Sequence, residues 1–149
     1  MSLDSETFGL LRDTVAKFVT ERLIPREAEV VETNAIPADV VAGMKELGLF
    51  GLSIAEKFGG LGLSMEEEVR VVFELGRASP AFRSVVGTNI GIGSQSIVIA
   101  GTREQKEKYL PALASGELVG SFALTEPDAG SDAMALRTSA RRDGDHYVL

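Results

Sequence analysis

The feature that most constrains the fold is a change of hydrophobic period near residue 117. Up to Glu117 the apolar residues recur mainly at helical spacing, whereas Leu118 to Leu124 is small, apolar and extended. The tail beyond it alternates in the manner of strands, and predicts two strands, Thr138 to Arg142 and His146 to Leu149, joined by a turn at Asp143-Gly144. The sequence therefore predicts a mainly α fold, with a helical domain over residues 1–117 and the first strands of an incomplete β domain over residues 118–149.

Five helices are predicted before that change. Pro25 is expected to kink or interrupt the first helix, because proline lacks the N–H that the helix ladder needs. Two segments have capping-box spacing, in which a hydroxyl residue precedes Glu or Gln by three positions. The predicted helices are Ser5 to Leu23 with a charged continuation to Glu32, Ala38 to Leu47 with Pro37 at its first position, Ser64 to Gly76, Phe82 to Ala100, and Thr102 to Leu113.

The inner faces of the later helices follow from the same spacing. The third helix is expected to bury Val69, Val72, Phe73 and Leu75, and the fifth to bury Tyr109, Leu110 and Leu113. The fourth helix is weakly charged and should be buried, with Gly87, Gly91 and Gly93 allowing neighbouring helices to approach closely.

Composition excludes several classes of function. The chain has 44% hydrophobic residues, which is typical of a globular protein, and a net charge of -7, which argues against nucleic-acid binding. It has no cysteine and one histidine, His146, so a disulfide framework, a zinc site and a Ser-His-Asp triad are not expected. We find no secretory leader and no apolar run near the roughly 18 residues of a membrane span, and therefore expect a cytoplasmic protein.

The most informative stretch is Phe122 to Asp132, FALTEPDAGSD. A strand would deliver Thr125 and Glu126, after which the chain must turn sharply, with Gly130 free to adopt a conformation that other residues resist. Such a turn can point successive backbone N–H groups and the Ser131 hydroxyl at one spot, which makes an anion-binding nest. From these residues alone, a plain polar turn between strands is the more frequent alternative.

Two other patterns have a plain structural interpretation. The glycines of Phe58 to Gly62 match neither a dinucleotide-binding fingerprint nor a phosphate-binding loop, so they are interpreted as a loop. Arg103, Lys106 and Lys108 alternate with glutamates, which is typical of a solvated helix face.

The string FALTEPDAGSD resembles the signature of acyl-CoA dehydrogenases, and two further stretches support that resemblance. Phe50-Gly51-Leu52 to Gly62 is similar to the family's "GLLGL…EEYGGLG" stretch. Gly101 to Pro111, followed by Leu113 to Glu117, is similar to its "GTEEQKxKYLPxLASGE" stretch. The resemblance covers nearly all of the chain, and corresponds to the helical N-terminal domain and the start of the middle β domain of such enzymes.

The resemblance implies an FAD site with residues in specific roles. Phe122, Ala123, Leu124 and Thr125 would lie against the flavin, with main-chain groups and the Thr125 hydroxyl at its pyrimidine edge. Gly130 and Ser131 would meet phosphate or acyl-CoA groups, which gives Ser131 a role towards substrate as well as cofactor. The region around Gly87, Gly91 and Gly93 would border the acyl-chain pocket.

No catalytic residue is assigned to this chain. In enzymes of this kind the base that removes the α-proton comes from the C-terminal helical domain, and Glu126 is interpreted as serving structure or solubility. The family's second flavin motif and that C-terminal domain have no counterpart before Leu149, so the isolated chain is expected to be inactive. Its tail from Thr138 to Leu149 is expected to be disordered, swapped or paired with another chain.

The activity implied is α,β-desaturation of an acyl-CoA in fatty acid metabolism, with an electron-accepting flavoprotein or another acceptor as partner. The resemblance also implies a homo-oligomer, usually a tetramer. A different hypothesis remains open: the chain could be a helical interaction module that binds no flavin and acts through its packing surfaces.

Overall fold

A computed structural model describes residues 3–149 of the chain. Within that range the chain is largely helical up to residue 114, and the remainder is extended chain, turns and one short hairpin. The α-helices are α1 (Ser5–Phe18), α2 (Glu27–Thr33), α3 (Ala38–Glu46), α4 (Met65–Leu75), α5 (Pro80–Thr88), α6 (Gln95–Ala100) and α7 (Arg103–Ala114). The predicted mainly α fold is confirmed.

The first predicted helix is interrupted around Pro25, as expected. Asp4 caps α1, because its carboxylate accepts hydrogen bonds from two backbone N–H groups of the first turn at 3.0 and 2.9 Å. The helix then widens into a π-turn at Val19–Leu23 and tightens into a 3₁₀ turn at Ile24–Arg26. After this interruption α2 carries the charged continuation.

The start of α3 differs by one residue from the prediction. Pro37 is the N-cap of α3 and not its first helical residue, because its ψ of 137° is outside the helical region. Val40 and Met44 are buried on the inner face. The helix ends at Glu46, and Gly48, two residues later, adopts a left-handed conformation with a φ of 68°.

Both predicted capping boxes are present. The Ser64 hydroxyl accepts from the Glu67 N–H at 3.3 Å, and the Glu67 carboxylate accepts from the Ser64 N–H at 2.8 Å. At the start of α7, Thr102 and Gln105 make the same reciprocal pair at 3.3 and 2.8 Å. Each box satisfies two of the backbone donors that a helix start leaves free.

The glycine-rich loop before α4 is a packed turn. Gly59 and Gly62 have φ values of 83° and 62°, the region that favours glycine. A Cβ on Gly60 would lie 2.0 Å from the carbonyl oxygen of Ile54 and 2.6 Å from that of Gly51. The glycines therefore allow the loop to close on its own backbone, which agrees with the structural interpretation of this stretch.

Two apolar clusters hold the helices together. The main core joins α1, α3, α4, α5 and the loop before α4, and its largest fully buried side chains are Leu23, Met44, Leu49, Phe50, Leu52, Leu75 and Phe82. A smaller cluster packs α7 against the same loop through Ile54, Leu110, Leu113 and Ala114.

The inner face of α7 was predicted correctly except for one residue. Leu110 and Leu113 are buried, whereas Tyr109 is 36% exposed, because one residue of a helix turns the side chain by about 100°. The Lys108 ammonium lies 4.9 Å from the centroid of the Tyr109 ring, at the surface. Pro111 lies in the last turn of the helix.

The single buried helix predicted for residues 82–100 is wrong in two respects. A π-turn at Asn89–Gly93 separates α5 from α6, with the Ser94 N–H donating to the Asn89 carbonyl oxygen at 3.2 Å. This hydrogen bond joins residues five positions apart, instead of the four of an α-helix, and so rotates α6 relative to α5. Phe82 and Val86 of α5 are buried, but α6 has only partly buried and exposed residues.

The last part of the chain forms the predicted hairpin, with shorter strands. β1 (Arg141–Asp143) pairs antiparallel with β2 (His146–Val148), and Gly144 takes a φ of 61° in the two-residue turn. Both strands are exposed along their whole length. The disordered, swapped or intermolecularly paired state expected of this tail stays a prediction.

No helix in residues 3–149 has the length and apolar character to cross a lipid bilayer.

Candidate functional site

The chain leaves the helical part at Leu118–Gly120, and this exit is fixed by one buried side chain. The amide nitrogen of Asn89 donates to the Leu118 carbonyl oxygen at 2.8 Å, and its amide oxygen accepts from the Gly120 N–H at 2.8 Å. The Leu118 N–H in turn donates to the carbonyl oxygen of Ala112 on α7 at 2.9 Å. The residues just before the FALTEPDAGSD segment are therefore attached both to α7 and to the π-turn that follows α5.

Phe122, Ala123, Leu124 and Thr125 follow as chain without regular secondary structure, and the strand predicted here is not formed. A strand requires a hydrogen-bonded neighbour, and within residues 3–149 no other backbone group pairs with these four residues. All four are exposed, with 53% of the Phe122 side chain accessible. The segment thus presents free backbone donors and acceptors beside apolar side chains.

A tight turn follows this segment. The backbones of Glu126 and Ala129 exchange two hydrogen bonds, at 3.0 and 3.2 Å. The Glu126 carboxylate accepts from the N–H groups of Arg137 and Thr138 at 2.9 and 2.8 Å. The side chain of Thr138, together with these backbone donors, holds the pKa of Glu126 below its usual value. The carboxylate therefore ties the motif to the chain ahead of the hairpin, which agrees with a structural role for Glu126.

The expected special conformation of Gly130 is not observed. Its φ is outside the left-handed region, and a Cβ built on it would have no atom within 4 Å. Gly130 and Ser131 are both exposed, and Asp132 instead caps the short 3₁₀ turn at Ala133–Ala135. The expected roles of Gly130 and Ser131 towards phosphate or acyl-CoA stay predictions.

An apolar groove of about 620 Å³ lies between α4 and the end of α5. Val69, Val72 and Phe73 of α4 form one side, and Ile90 and Gly91 of the π-turn form part of the other. Val69 and Phe73 were expected in the core, but they are exposed, Phe73 to 73%. The buried face of α4 carries Leu75, as predicted, together with Val71, which was not predicted. The α4 helix is therefore apolar on two sides, one in the core and one in the groove.

Charged groups lie along the same groove. Glu68 is partly buried, and this desolvation raises its pKa, while the nearby Ser53 side chain acts in the opposite direction. Arg77 is paired with Glu74 at 3.2 Å, and the Arg83 guanidinium passes over Gly87. The groove thus combines an apolar floor with a partly desolvated carboxyl and two guanidinium groups.

The three glycines of this region have different surroundings. Only Gly93 makes a close backbone contact, since a Cβ on it would lie 3.0 Å from the Gly120 Cα. Gly87 and Gly91 line the groove, and a Cβ on Gly91 would meet no atom within 4 Å. The predicted close approach of neighbouring helices is therefore wrong for Gly91, and at Gly93 the close partner is Gly120 of the exit segment and not a helix.

The basic face of α7 agrees with its structural interpretation. Arg103 pairs with Glu107 at 2.7 Å, and both side chains are more than half exposed. Lys106 lines a second, more polar cavity together with Lys57 and Phe58. In the described part of the chain, this cavity contains no buried polar group that would indicate a specific ligand.

Sequence reasoning missed Asn89 and the groove face of α4. Asn89 is a lone amide in an apolar, glycine-rich run, which is a signal for a buried hydrogen-bonding role that periodicity does not detect. The apolar residues at positions 69, 71, 72, 73 and 75 are too many for one stripe, and that surplus indicates a second apolar face.

Comparisons with known proteins match this chain over nearly its full length. The family model for the acyl-CoA dehydrogenase N-terminal domain matches residues 5–117. The mitochondrial isovaleryl-CoA dehydrogenase of Bos taurus is 40% identical over 141 residues, which are 93% of this chain and 33% of that enzyme.

Solved structures agree with that relationship. An acyl-CoA dehydrogenase from Bacillus anthracis, solved in complex with FAD, superposes with a TM-score of 0.82 at 35% identity, over 97% of this chain and 25% of that one. A structure of the electron transferring flavoprotein of Acidaminococcus fermentans, described in terms of flavin-based electron bifurcation, has a TM-score of 0.87 at 33% identity, over 100% of this chain and 40% of the matched one.

The chain spans about a third of the length of the bovine enzyme. The match over residues 5–117 covers most of the chain and agrees with the helical fold described above. On this evidence the chain belongs to the acyl-CoA dehydrogenase family of oxidoreductases.

Proposed function

We propose that this chain is part of an FAD-dependent enzyme that desaturates an acyl-CoA thioester between its α and β carbons. In this proposal the chain supplies one wall of the acyl-CoA pocket and part of the FAD site. The observation that carries it is the exposed segment Phe122–Thr125, which follows Gly120, a residue hydrogen-bonded to the π-turn that also borders the apolar groove.

The chemistry of Phe122–Thr125 fits a flavin. An isoalloxazine ring has apolar faces and a polar edge with hydrogen-bond donors and acceptors, and this segment offers apolar side chains, unpaired backbone groups and the Thr125 hydroxyl. When bound, the flavin would accept the two electrons that leave the substrate β-carbon as hydride. Gly130 and Ser131 are proposed to contact phosphate or acyl-CoA groups, with exposed backbone and hydroxyl donors.

The groove is the proposed wall of the acyl pocket. Its exposed Val69 and Phe73 side chains suit an aliphatic or aromatic acyl group, because burying them against an apolar ligand removes both surfaces from water. The bovine relative is named for an isovaleryl-CoA substrate, which belongs to that class.

The base that takes the α-proton is proposed to lie outside this chain, in the C-terminal helical domain of such enzymes. Glu126 is not available for that role, because its carboxylate already accepts two backbone N–H groups. The isolated chain is therefore expected to lack dehydrogenase activity.

The wider assembly is part of the same proposal. The reduced cofactor would pass its electrons to an electron-accepting flavoprotein or another acceptor, and the similarity to the Acidaminococcus fermentans flavoprotein structure supports such a link. We also propose that the protein forms a homotetramer and is located in the cytoplasm. Residues 1–117 would form a helical domain, and residues 118–149 would form the start of a β domain.

A flavin titration tests the proposal. FAD is added to the purified chain while its visible absorption is recorded, and saturable perturbation of the flavin band is expected. The Thr125→Val variant keeps the side-chain size but removes the hydroxyl, and should weaken binding by up to about tenfold, the equivalent of one hydrogen bond. Thr14→Val, on the exposed face of α1, is the matched control and should bind as the unaltered chain does.

Two outcomes would contradict the proposal. An unperturbed flavin spectrum with a folded chain would favour the helical interaction module. Equal weakening by Thr125→Val and Thr14→Val would mean that flavin does not bind at the proposed segment.

A further inference from the structure

Asn89 makes three hydrogen bonds from a fully buried side chain. Its amide nitrogen donates to the carbonyl oxygens of Leu113, at 2.9 Å, and Leu118, at 2.8 Å. Its amide oxygen accepts from the Gly120 N–H at 2.8 Å. The side chain has no solvent exposure. Asn89 therefore joins the end of α7 to the chain that leads into the FALTEPDAGSD segment.

The requirement at this position is specific to an amide. The three partners need two donors and one acceptor, and of the side chains of this size only asparagine offers both. Aspartate would place a carboxylate against two carbonyl oxygens, and alanine would leave three polar backbone groups without their side-chain partner. The interactions thus explain why this polar residue interrupts an apolar run.

A backbone contact supports the same junction from the opposite side. Gly93, the last residue of the π-turn, lies against Gly120, and a Cβ on Gly120 would approach the Gly93 Cα to 2.8 Å. A larger residue at position 120 would therefore push the exit segment away from the turn. Asn89 and Gly93, at the two ends of one π-turn, together fix the position of Gly120.

The same π-turn forms part of the groove. Ile90 and Gly91 line it, and the Ile90 carbonyl oxygen accepts from the Ser53 hydroxyl at 2.8 Å. The Gln95 amide donates to that hydroxyl at 3.0 Å, which fixes its orientation. Ser53 therefore holds the turn where it borders the groove, and Asn89 attaches the turn to Leu118 and Gly120.

We propose that Asn89 is a positioning residue that sets Phe122–Thr125 at a fixed place relative to the wall of the apolar groove. The π-turn connects the two sites. Asn89 bonds to the chain that leads to Phe122–Thr125, and the next residue, Ile90, lines the groove. This inference rests on the proposed function for the identity of the two ligands, flavin at the segment and an acyl group in the groove. The junction itself is independent of that identity.

The test compares three variants by amide hydrogen exchange and by FAD titration of the whole 149-residue chain. Asn89→Ala removes the side-chain bonds, and Gly120→Ala displaces the segment without touching the core. Met44→Ala is the control, because it removes a fully buried side chain of the main core that makes no contact with the exit segment. It should cost global stability in the manner of other large-to-small substitutions in a core.

In the Asn89→Ala chain the Gly120 amide should exchange at least about tenfold faster relative to the Val98 amide, which bonds within the helical part. Asn89→Ala and Gly120→Ala should each weaken FAD binding by about tenfold, whereas Met44→Ala should leave the affinity of the folded chain unchanged.

The two readouts separate the two proposals. Unchanged exchange at Gly120 in Asn89→Ala, or equal loss of FAD affinity in Met44→Ala, would overturn the positioning role. If the unaltered chain binds no FAD, the proposed function fails in this chain, and exchange at Gly120 alone then decides whether Asn89 fixes the segment. Should Asn89→Ala fail to fold, the FAD affinity of Gly120→Ala decides in its place.

Discussion

The helical part and residues 118–149 are built from the same kinds of local interaction, yet only one of them has a core. Both contain capped turns, tight glycine turns and side chains that bond to backbone. In the helical part, large side chains such as Phe50 and Phe82 are fully buried, whereas Phe122, Leu124 and Tyr147 of the second part are exposed. Local hydrogen bonds therefore shape both regions, but burial of apolar surface stabilises only the first.

The largest expected contrast comes from removing an aromatic side chain in each region. Phe82→Ala should lower the free energy of unfolding by about 3–5 kcal/mol, because it leaves a cavity in the main core. Tyr147→Ala, in the exposed strand β2, should change it by less than about 0.5 kcal/mol. Urea unfolding followed by circular dichroism measures both. A large loss in Tyr147→Ala would mean that the hairpin is packed in solution.

A pair of glycines provides a second contrast. Gly60→Ala should cost about 1–3 kcal/mol, because the new Cβ would collide with backbone oxygens of the loop before α4. Gly130→Ala should be nearly neutral, because its Cβ would enter open space. The unfolding midpoints of the two variants, compared with that of the unaltered chain, measure this difference in stability. A clearly destabilised Gly130→Ala chain would show that the turn needs glycine after all.

Helix and turn caps provide a third contrast, of smaller size. Ser64→Ala removes one half of the capping box of α4 and should cost about 1 kcal/mol. Asp132→Ala removes the cap of an exposed 3₁₀ turn and should change global stability by less than about 0.5 kcal/mol. Equal effects in thermal unfolding would mean that the two regions unfold as one cooperative unit.

The smallest expected effect is local and depends on pH. Because the folded pKa of Glu126 is lowered, its stabilising bonds are fully present above the unfolded value of about 4.3 and are lost as the pH falls through the folded pKa. The amide signals of Arg137 and Thr138 should titrate together with a midpoint below about 4.3.

In Glu126→Gln that shared titration should disappear, since the side chain no longer ionises. A midpoint at or above the ordinary glutamate value would contradict the two backbone bonds.

The sequence predicted those features that depend on neighbouring residues. The capping boxes at Ser64 and Thr102, the interruption at Pro25 and the hairpin turn at Gly144 all follow from local chemistry, and all are present. The family resemblance likewise rested on local strings and was confirmed by the match over residues 5–117.

The features that sequence reasoning missed depend on tertiary contacts. Which of the apolar residues on α4 face the core is decided by the helices packed against it, so periodicity alone placed Phe73 wrongly. The strand expected at Phe122–Thr125 needs a neighbouring strand, and a sequence pattern cannot supply one. Asn89 was missed because its partners lie 24 to 31 residues away.

Because of the π-turn at Asn89–Gly93, the number of residues between α5 and α6 determines how α6 is rotated relative to α5. Its bond from Ser94 to Asn89 encloses one residue more than an α-helical turn would. Deleting a single residue here would let α5 and α6 merge into one regular helix and would rotate α6 by about 100°. Ile97 and Val98 would then leave the cluster they share with α7. A one-residue gap at this turn should therefore be tolerated far less well in natural variants than substitutions along α6.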